Sequence, residues 1–263
     1  MARAHRHYIP GHIWHLTHRC HNREFLLKFA KDRHRWLQWL YEAKRRYGLV
    51  ILDYPVTSNH IHLLVYDVTG KDVIPKSIQL VAGRTGQEYN QRKSRKGAYW
   101  EDNYHATVIE NGEHLLRGIV YIDMNMVRAG VVEHSAQWKH GGYNEIQSPR
   151  RKYILIDYQT LIRLVGFEAY EEFQVVHRRW VQAAVDKANL IRESHWTESI
   201  AVGSETFVAA VKKQMHHLAI GRLIRSSTEF CELRDPEASY IGHFEAQKGD
   251  IGLENIPLWN ESY

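Results

Sequence analysis

The chain has 263 residues, 44% hydrophobic and 25% charged, the balance of a globular protein with room for one large domain or two small ones. No apolar run nears the roughly 20 residues that span a bilayer, and the N-terminal "MARAHRHYIPGH" lacks the apolar centre of a signal peptide. Two cysteines, Cys20 and Cys231, exclude a disulfide framework and fit a reducing cytoplasm, while a net charge of +5 leans toward a polyanionic partner.

"HIWHLTHRC" (12–20) alternates Trp14, Leu16 and His18 with Ile13, His15 and Thr17, the period of a strand buried mainly on one face. "KDRHRWLQWLYEAKRRYG" (31–48) reads as a helix with an apolar stripe of Trp36, Leu37, Leu40 and Tyr41, cations in its last turn and Gly48 as its stop. "LVILDY" and "HIHLLVY" are strand-like runs joined by the turn formers of "PVTSN". A second helix runs from about Ile74 to Arg92, weakened by Gly83 and Gly86. "GAYWEDNYHATVIE" (97–110) reads as a fourth strand, and "NGEHLLRGIVYIDMNMVRAG" (111–130) as a third helix with Asn111 as N-cap and Gly130 as stop. The order β-α-β-β-α-β plus a further helix predicts an α+β fold: a ferredoxin-like (RRM-like) four-stranded antiparallel sheet with helices on one face. After about residue 149 the periodicity is helical, with one weak strand candidate at "FCELRD", so residues 149–263 read as a mostly helical C-terminal extension.

"SNHIHLLV" (58–65) places His60 and His62 on one face of a strand, a few ångströms apart, with Ile61 and Leu63 on the other. On that open face the two imidazoles can grip one divalent ion and leave coordination positions for a substrate, or they are simply two surface histidines. With 18 histidines in the chain a His-x-His arises by chance, and a second one stands at His5 and His7. On the third helix His114, Arg117, Tyr121, Asn125 and Arg128 fall within an arc of about 80°, opposite Leu115, Ile119, Ile122 and Met126. Tyr121 and Asn125 are four apart and therefore neighbours. A phenol can form a phosphoester, an amide oxygen suits Mg²⁺ or Mn²⁺, and cations suit phosphate; an ordinary amphipathic helix is the alternative. Two basic clusters, Arg92, Lys93, Arg95, Lys96 and Arg150, Arg151, Lys152, are phosphate-binding candidates or solvated loops. For Tyr99, Trp100 and Tyr104, core packing is favoured over stacking on unpaired bases.

Taken together these segments resemble the HUH single-tyrosine transposases, and within them the REP-associated tyrosine transposases related to insertion-sequence enzymes. "SNHIHLLV" is similar to their His-hydrophobic-His motif, and "YIDMNMVRAG" to their Tyr-x-x-x-Asn-x-x-Arg-Ala-Gly segment. "HLTHRCHNREFLL" and "GAYWEDNYHATVIE" also resemble family segments, and "RESHWTESIAVGSETFV" (192–208) one found in longer members. Met126 departs from a common proline, and Thr57-Ser58 from Met-Pro; neither removes a reactive group. The resemblance implies a catalytic domain over 1–148, with Tyr121 as nucleophile and His60, His62 and Asn125 as ligands of a divalent metal, Mg²⁺ or Mn²⁺. It implies cleavage and strand transfer of single-stranded DNA beside a palindromic hairpin through a 5′-phosphotyrosine link, without ATP, by a cytoplasmic monomer or homodimer with no membrane partner. Arg92, Lys93, Arg95, Lys96, Arg117, Arg128, Arg150 and Arg151 would grip the DNA, and the extension would contact DNA or brace the domain. Cutting it away is expected to weaken hairpin binding more than metal binding. Two readings stay beside this one: a domesticated hairpin-binding protein that does not cut, and a hydrolase that uses water. An RNA-binding role lacks an RNP1-like run.

Overall fold

The computed structural model describes residues 9–68, 70, 72–187 and 191–235; His5 and His7 lie outside them. In chain order the elements are β1 (Ile13–Arg19), α1 (Ala30–Tyr47), β2 (Val50–Asp53), β3 (His60–Tyr66), α2 (Val73–Arg92), β4 (His105–Ile109), α3 (Glu113–Asp123), α4 (Asn125–Arg128), α5 (Gly142–Gln147), α6 (Tyr158–Val165), α7 (Tyr170–Asp186), α8 (His195–Glu198), β5 (Ala201–Gly203), α9 (Glu205–Gln214), β6 (Leu223–Ser226) and β7 (Cys231–Arg234).

The first four strands lie in the order β2-β3-β1-β4, every neighbour antiparallel, as the split β-α-β topology requires. The sheet does not stop at four strands. β5 adds to β4 in parallel through Val108–Ala201 and Ile109–Val202, and β7 and β6 follow antiparallel, giving seven strands. The "FCELRD" candidate is realised as β7, while β5 and β6 were hidden in a stretch of helical period. Among three to four residues, strand alternation has too little length to register. The edge of β4 that a four-stranded sheet would leave open is thus paired, which removes an unpaired backbone row.

α1 opens with Asp32 and closes with Lys44, Arg45 and Arg46 against the helix dipole, and Gly48 supplies the left-handed stop at φ 72°. α1 and α2 pack on each other, and their buried Trp36, Leu40, Ile78 and Val81 join Leu16, Leu63 and Val65 in the main core. β1 departs from the expected one-sided burial: His15 is 1% exposed, so both of its faces are covered. The segment read as one helix is two. Gly112, not Asn111, holds the N-cap of α3, and its N–H donates to the Leu164 carbonyl (2.8 Å). α3 ends and α4 begins around Met124, where the Arg128 guanidinium donates to the Tyr121 carbonyl (2.8 Å). Among the described residues no helix is long and apolar enough to cross a membrane.

Candidate active site

Cross-strand register decides what surrounds the histidine pair. Thr17 stands opposite His62 and Arg19 opposite His60, so His15, Thr17, Arg19, His60 and His62 share one face of the sheet. That face is partly covered rather than open: His15 and His62 are buried, His62 beneath the start of α4 where Asn125 meets it, whereas Thr17, Arg19 and His60 are half-buried. The expectation of an open face assumed that the sheet ended at its helices. The later strands bring α8 over β1 and β4 instead.

The two imidazoles are oriented by different means. His60 Nδ1 lies 2.7 Å from Asn59 Oδ1, an acceptor, so Nδ1 carries the proton and Nε2 keeps its lone pair. Thr57 fastens the same turn, its hydroxyl donating to the His60 carbonyl (2.8 Å) and accepting from the His60 N–H (3.1 Å). His62 Nδ1 meets His15 Nε2 at 2.8 Å, and His62 Nε2 meets Asn125 Nδ2 at 2.9 Å. The Asn125 side chain also hydrogen-bonds His60. Burial, and then the charge of Arg19, lower the His60 pKa to about 3; burial and then the neighbouring His15 hold His62 well below the ordinary value. Both rings are therefore neutral at pH 7, and the His62 Nε2 lone pair accepts from the Asn125 amide.

Tyr121, in the last turn of α3, lies beside them, its ring centroid 6.2 Å from that of His62 and 6.3 Å from that of His15. The Arg128 guanidinium lies over the ring at 4.0 Å from its centroid, a cation–π contact. Arg192 and Thr197 hydrogen-bond the phenol, and Trp196 packs beside it at 6.0 Å. Burial raises the phenol's pKa above 10, and the charges of Arg128 and Arg192 oppose that rise. Tyr121, Asn125, His60 and His62 lie together within the one chain. Reading the sequence missed His15, Arg192, Trp196 and Thr197. His15 carried a signal, since it shares strand parity with Thr17, but only the β1–β3 register shows that this parity faces His62.

Two histidines and an amide are the donors at this centre. Among the described residues no group of three or more His, Cys, Asp or Glu side chains is placed to hold a metal ion. Neutral imidazoles converging on an amide nevertheless suit a divalent ion, provided that Asn125 turns its oxygen inward.

The DNA-binding candidates are scattered. Arg128 is in the site, and Arg117 sits one turn before Tyr121 on α3, tied to Glu113 (2.7 Å) and Glu229 (2.6 Å). Arg92 pairs with Asp32, Lys93 lies over the Phe29 ring at 5.5 Å, and Arg95 donates to the Ala98 carbonyl at 2.8 Å. Arg150 pairs with buried Glu145 at 3.2 Å, while Lys96 and Arg151 are exposed. Tyr99 and Tyr104 are core residues, 4% and 7% exposed, and Trp100 stacks on His18 at 4.2 Å, in line with packing over base stacking.

Residues 9–125, from the residue before the β1 turn to the amide of the site, match the family model described as transposase, IS200 like. The match spans a little under half of the chain, which is similar there to the IS200-like transposases. The match ends at Asn125. No curated protein matches the chain. Two solved structures are similar to parts of it. One is a REP-associated tyrosine transposase bound to a REP hairpin, 19% identical over 57% of this chain and 87% of that one, with a TM-score of 0.49. The other, from Deinococcus radiodurans R1 and described as a transposase, is 18% identical over 40% of this chain and 84% of that one, with a TM-score of 0.31.

Proposed function

We propose that the chain is a metal-dependent nuclease and strand transferase for single-stranded DNA, acting beside a palindromic hairpin of the REP kind with Tyr121 as its nucleophile. The observation that carries this reading is the convergence of His60, His62 and Asn125 beside the Tyr121 ring in one chain. His60 and His62 would hold Mg²⁺ or Mn²⁺ through Nε2, and Asn125 through its amide oxygen. The ion supplies charge neutralisation at the scissile phosphate. Tyr121 attacks phosphorus in line, the bond from phosphorus to the 3′ oxygen breaks, and that oxygen leaves as a 3′-hydroxyl after taking a proton. The 5′-phosphate stays on Tyr121, so the bond energy is kept for rejoining. Arg128 and Arg192, already against the phenol, favour its ionised form and provide cations for the phosphate. A cytoplasmic location and DNA contact by Lys93, Arg95, Lys96 and Arg151 belong to the same proposal.

A second reading, hairpin binding without cleavage, draws on the burial of Tyr121, 6% exposed and hydrogen-bonded to Thr197 and Arg192. Covalent trapping separates the two. Labelled single strands carrying palindromes from the DNA flanking the gene are incubated with Mn²⁺ and run on a denaturing gel. The transferase gives a protein–DNA adduct that disappears with Tyr121→Phe and with EDTA. Cleavage without an adduct would mean water as nucleophile, and tight hairpin binding with no cleavage would mean the binder.

A further inference from the structure

One hydrogen-bonded chain enters the site from outside the matched domain. The Trp196 carbonyl lies 2.8 Å from His15 Nδ1, His15 Nε2 lies 2.8 Å from His62 Nδ1, and His62 Nε2 lies 2.9 Å from the Asn125 amide nitrogen. A carbonyl oxygen only accepts, so His15 Nδ1 must carry the ring proton and donate it. His15 Nε2 is then a lone pair, and His62 Nδ1 must be the N–H that donates to it. His62 Nε2 is left with a lone pair, which accepts from the Asn125 amide. The amide nitrogen at the far end is a donor, so both ends of the chain demand the same tautomers. The His15 and His62 rings are nearly parallel, 19° apart with centroids 5.0 Å apart, as an edge-to-edge hydrogen bond requires, and His15 is 1% exposed, leaving water little access to either bond.

We infer that His15 is a positioning residue which, anchored by the Trp196 carbonyl, holds His62 in the tautomer whose Nε2 lone pair faces Asn125. Histidines that bind metals through one nitrogen are commonly oriented by a hydrogen bond on the other. Here the orienting group is a second histidine, whose own tautomer is set by backbone beyond residue 125. His60 needs no such relay, because Asn59 performs the same task from the next residue. The inference rests on the proposed role of His62 as a ligand, but its first consequence is visible without metal.

The test uses the full chain with ¹⁵N-labelled histidine, without metal, and long-range proton–nitrogen correlation spectra in which His62 is assigned by its loss in His62→Gln. His62 is expected to carry its proton on Nδ1 in the natural protein and to become a tautomer mixture in His15→Leu. Calorimetric titration with Mn²⁺ should show affinity falling on the order of 10- to 100-fold in His15→Leu. His15→Gln, whose amide can donate to Trp196 and accept from His62, should restore most of that loss. A proton on Nε2 of His62 in the natural protein overturns the inference, and this result needs no variant to fold. Unchanged Mn²⁺ affinity in a folded His15→Leu protein overturns it too. If the natural protein binds no Mn²⁺ while His62 still carries its proton on Nδ1, the relay stands and the metal reading falls.

Discussion

The segment that carries the histidine pair and the segment beyond residue 148 are built by different rules. Between Ile13 and Ile109 each element is long enough to show its period, and its neighbours in the sheet are close in sequence. Beyond residue 148 the strands have three or four residues and gain their place only by pairing with β4 and with one another. Yet this second region supplies the Trp196 carbonyl behind His15, the Thr197 and Arg192 contacts of Tyr121, and His177 behind Asp123. The extension therefore packs against the candidate site residues themselves. A region with little periodicity of its own can still complete a site built mainly by another.

The largest effect should come from separating the two regions. A chain ending at residue 148 exposes the β4 edge and removes the partner of every contact just named. It is expected to lose cooperative unfolding and Mn²⁺ binding together, as read by circular dichroism and calorimetry. This revises the expectation that hairpin binding would suffer first. A truncated protein that melts cooperatively and binds Mn²⁺ like the full chain would restore it.

A sharper probe is the seam between α3 and α7. Asp123 Oδ2 lies 2.8 Å from His177 Nε2, a distance that suits an ion pair, but burial raises the Asp123 carboxyl well above its ordinary value and lowers His177 to about 3. Asp123 also raises the carboxyl of nearby Asp53, whose own rise is due first to burial, and with both sides of the Asp123–His177 contact pushed toward neutrality we read the seam as a neutral hydrogen bond. Asp123→Asn should then change stability by less than about 1 kcal/mol, and Asp123→Leu should cost more by stranding His177. Were the pair ionic, Asp123→Asn would itself cost about 3–5 kcal/mol, and chemical denaturation distinguishes the two.

Acidification gives a smaller effect. His15 and His140 are both buried with pKa values lowered to about 3, chiefly by burial. The unfolded chain takes protons near 6.5 that the folded chain refuses, so stability is complete above about pH 6.5 and is lost as pH falls toward 3. Between pH 7.5 and 5.5 each should cost about 1 kcal/mol, lowering Tm by several degrees. A Tm that rises over that interval would mean that these imidazoles are charged in the folded state.

The smallest effect concerns single surface cations. Lys96 and Arg151 are exposed, whereas Arg92 and Arg150 are engaged by Asp32 and Glu145. Replacing either of the exposed pair by alanine should flatten the salt dependence of hairpin binding by about one unit of slope, and replacing Arg92 or Arg150 should flatten it less. Equal slopes for all four would place the DNA elsewhere.

The chain by itself determined the order of the first six elements, the shared face of His60 and His62 and the neighbourhood of Tyr121 and Asn125. Each is a consequence of local period: two for a strand, 3.6 for a helix. Met124 shows the limit of that logic, since the break between α3 and α4 leaves Tyr121 and Asn125 adjacent although they sit in different helices. Only the tertiary structure decided that His62 is buried, that the sheet has seven strands, and that His15 stands between His62 and Trp196. Those facts rest on register and on a contact spanning 181 residues, and no local period encodes which distant backbone carbonyl will meet a buried imidazole.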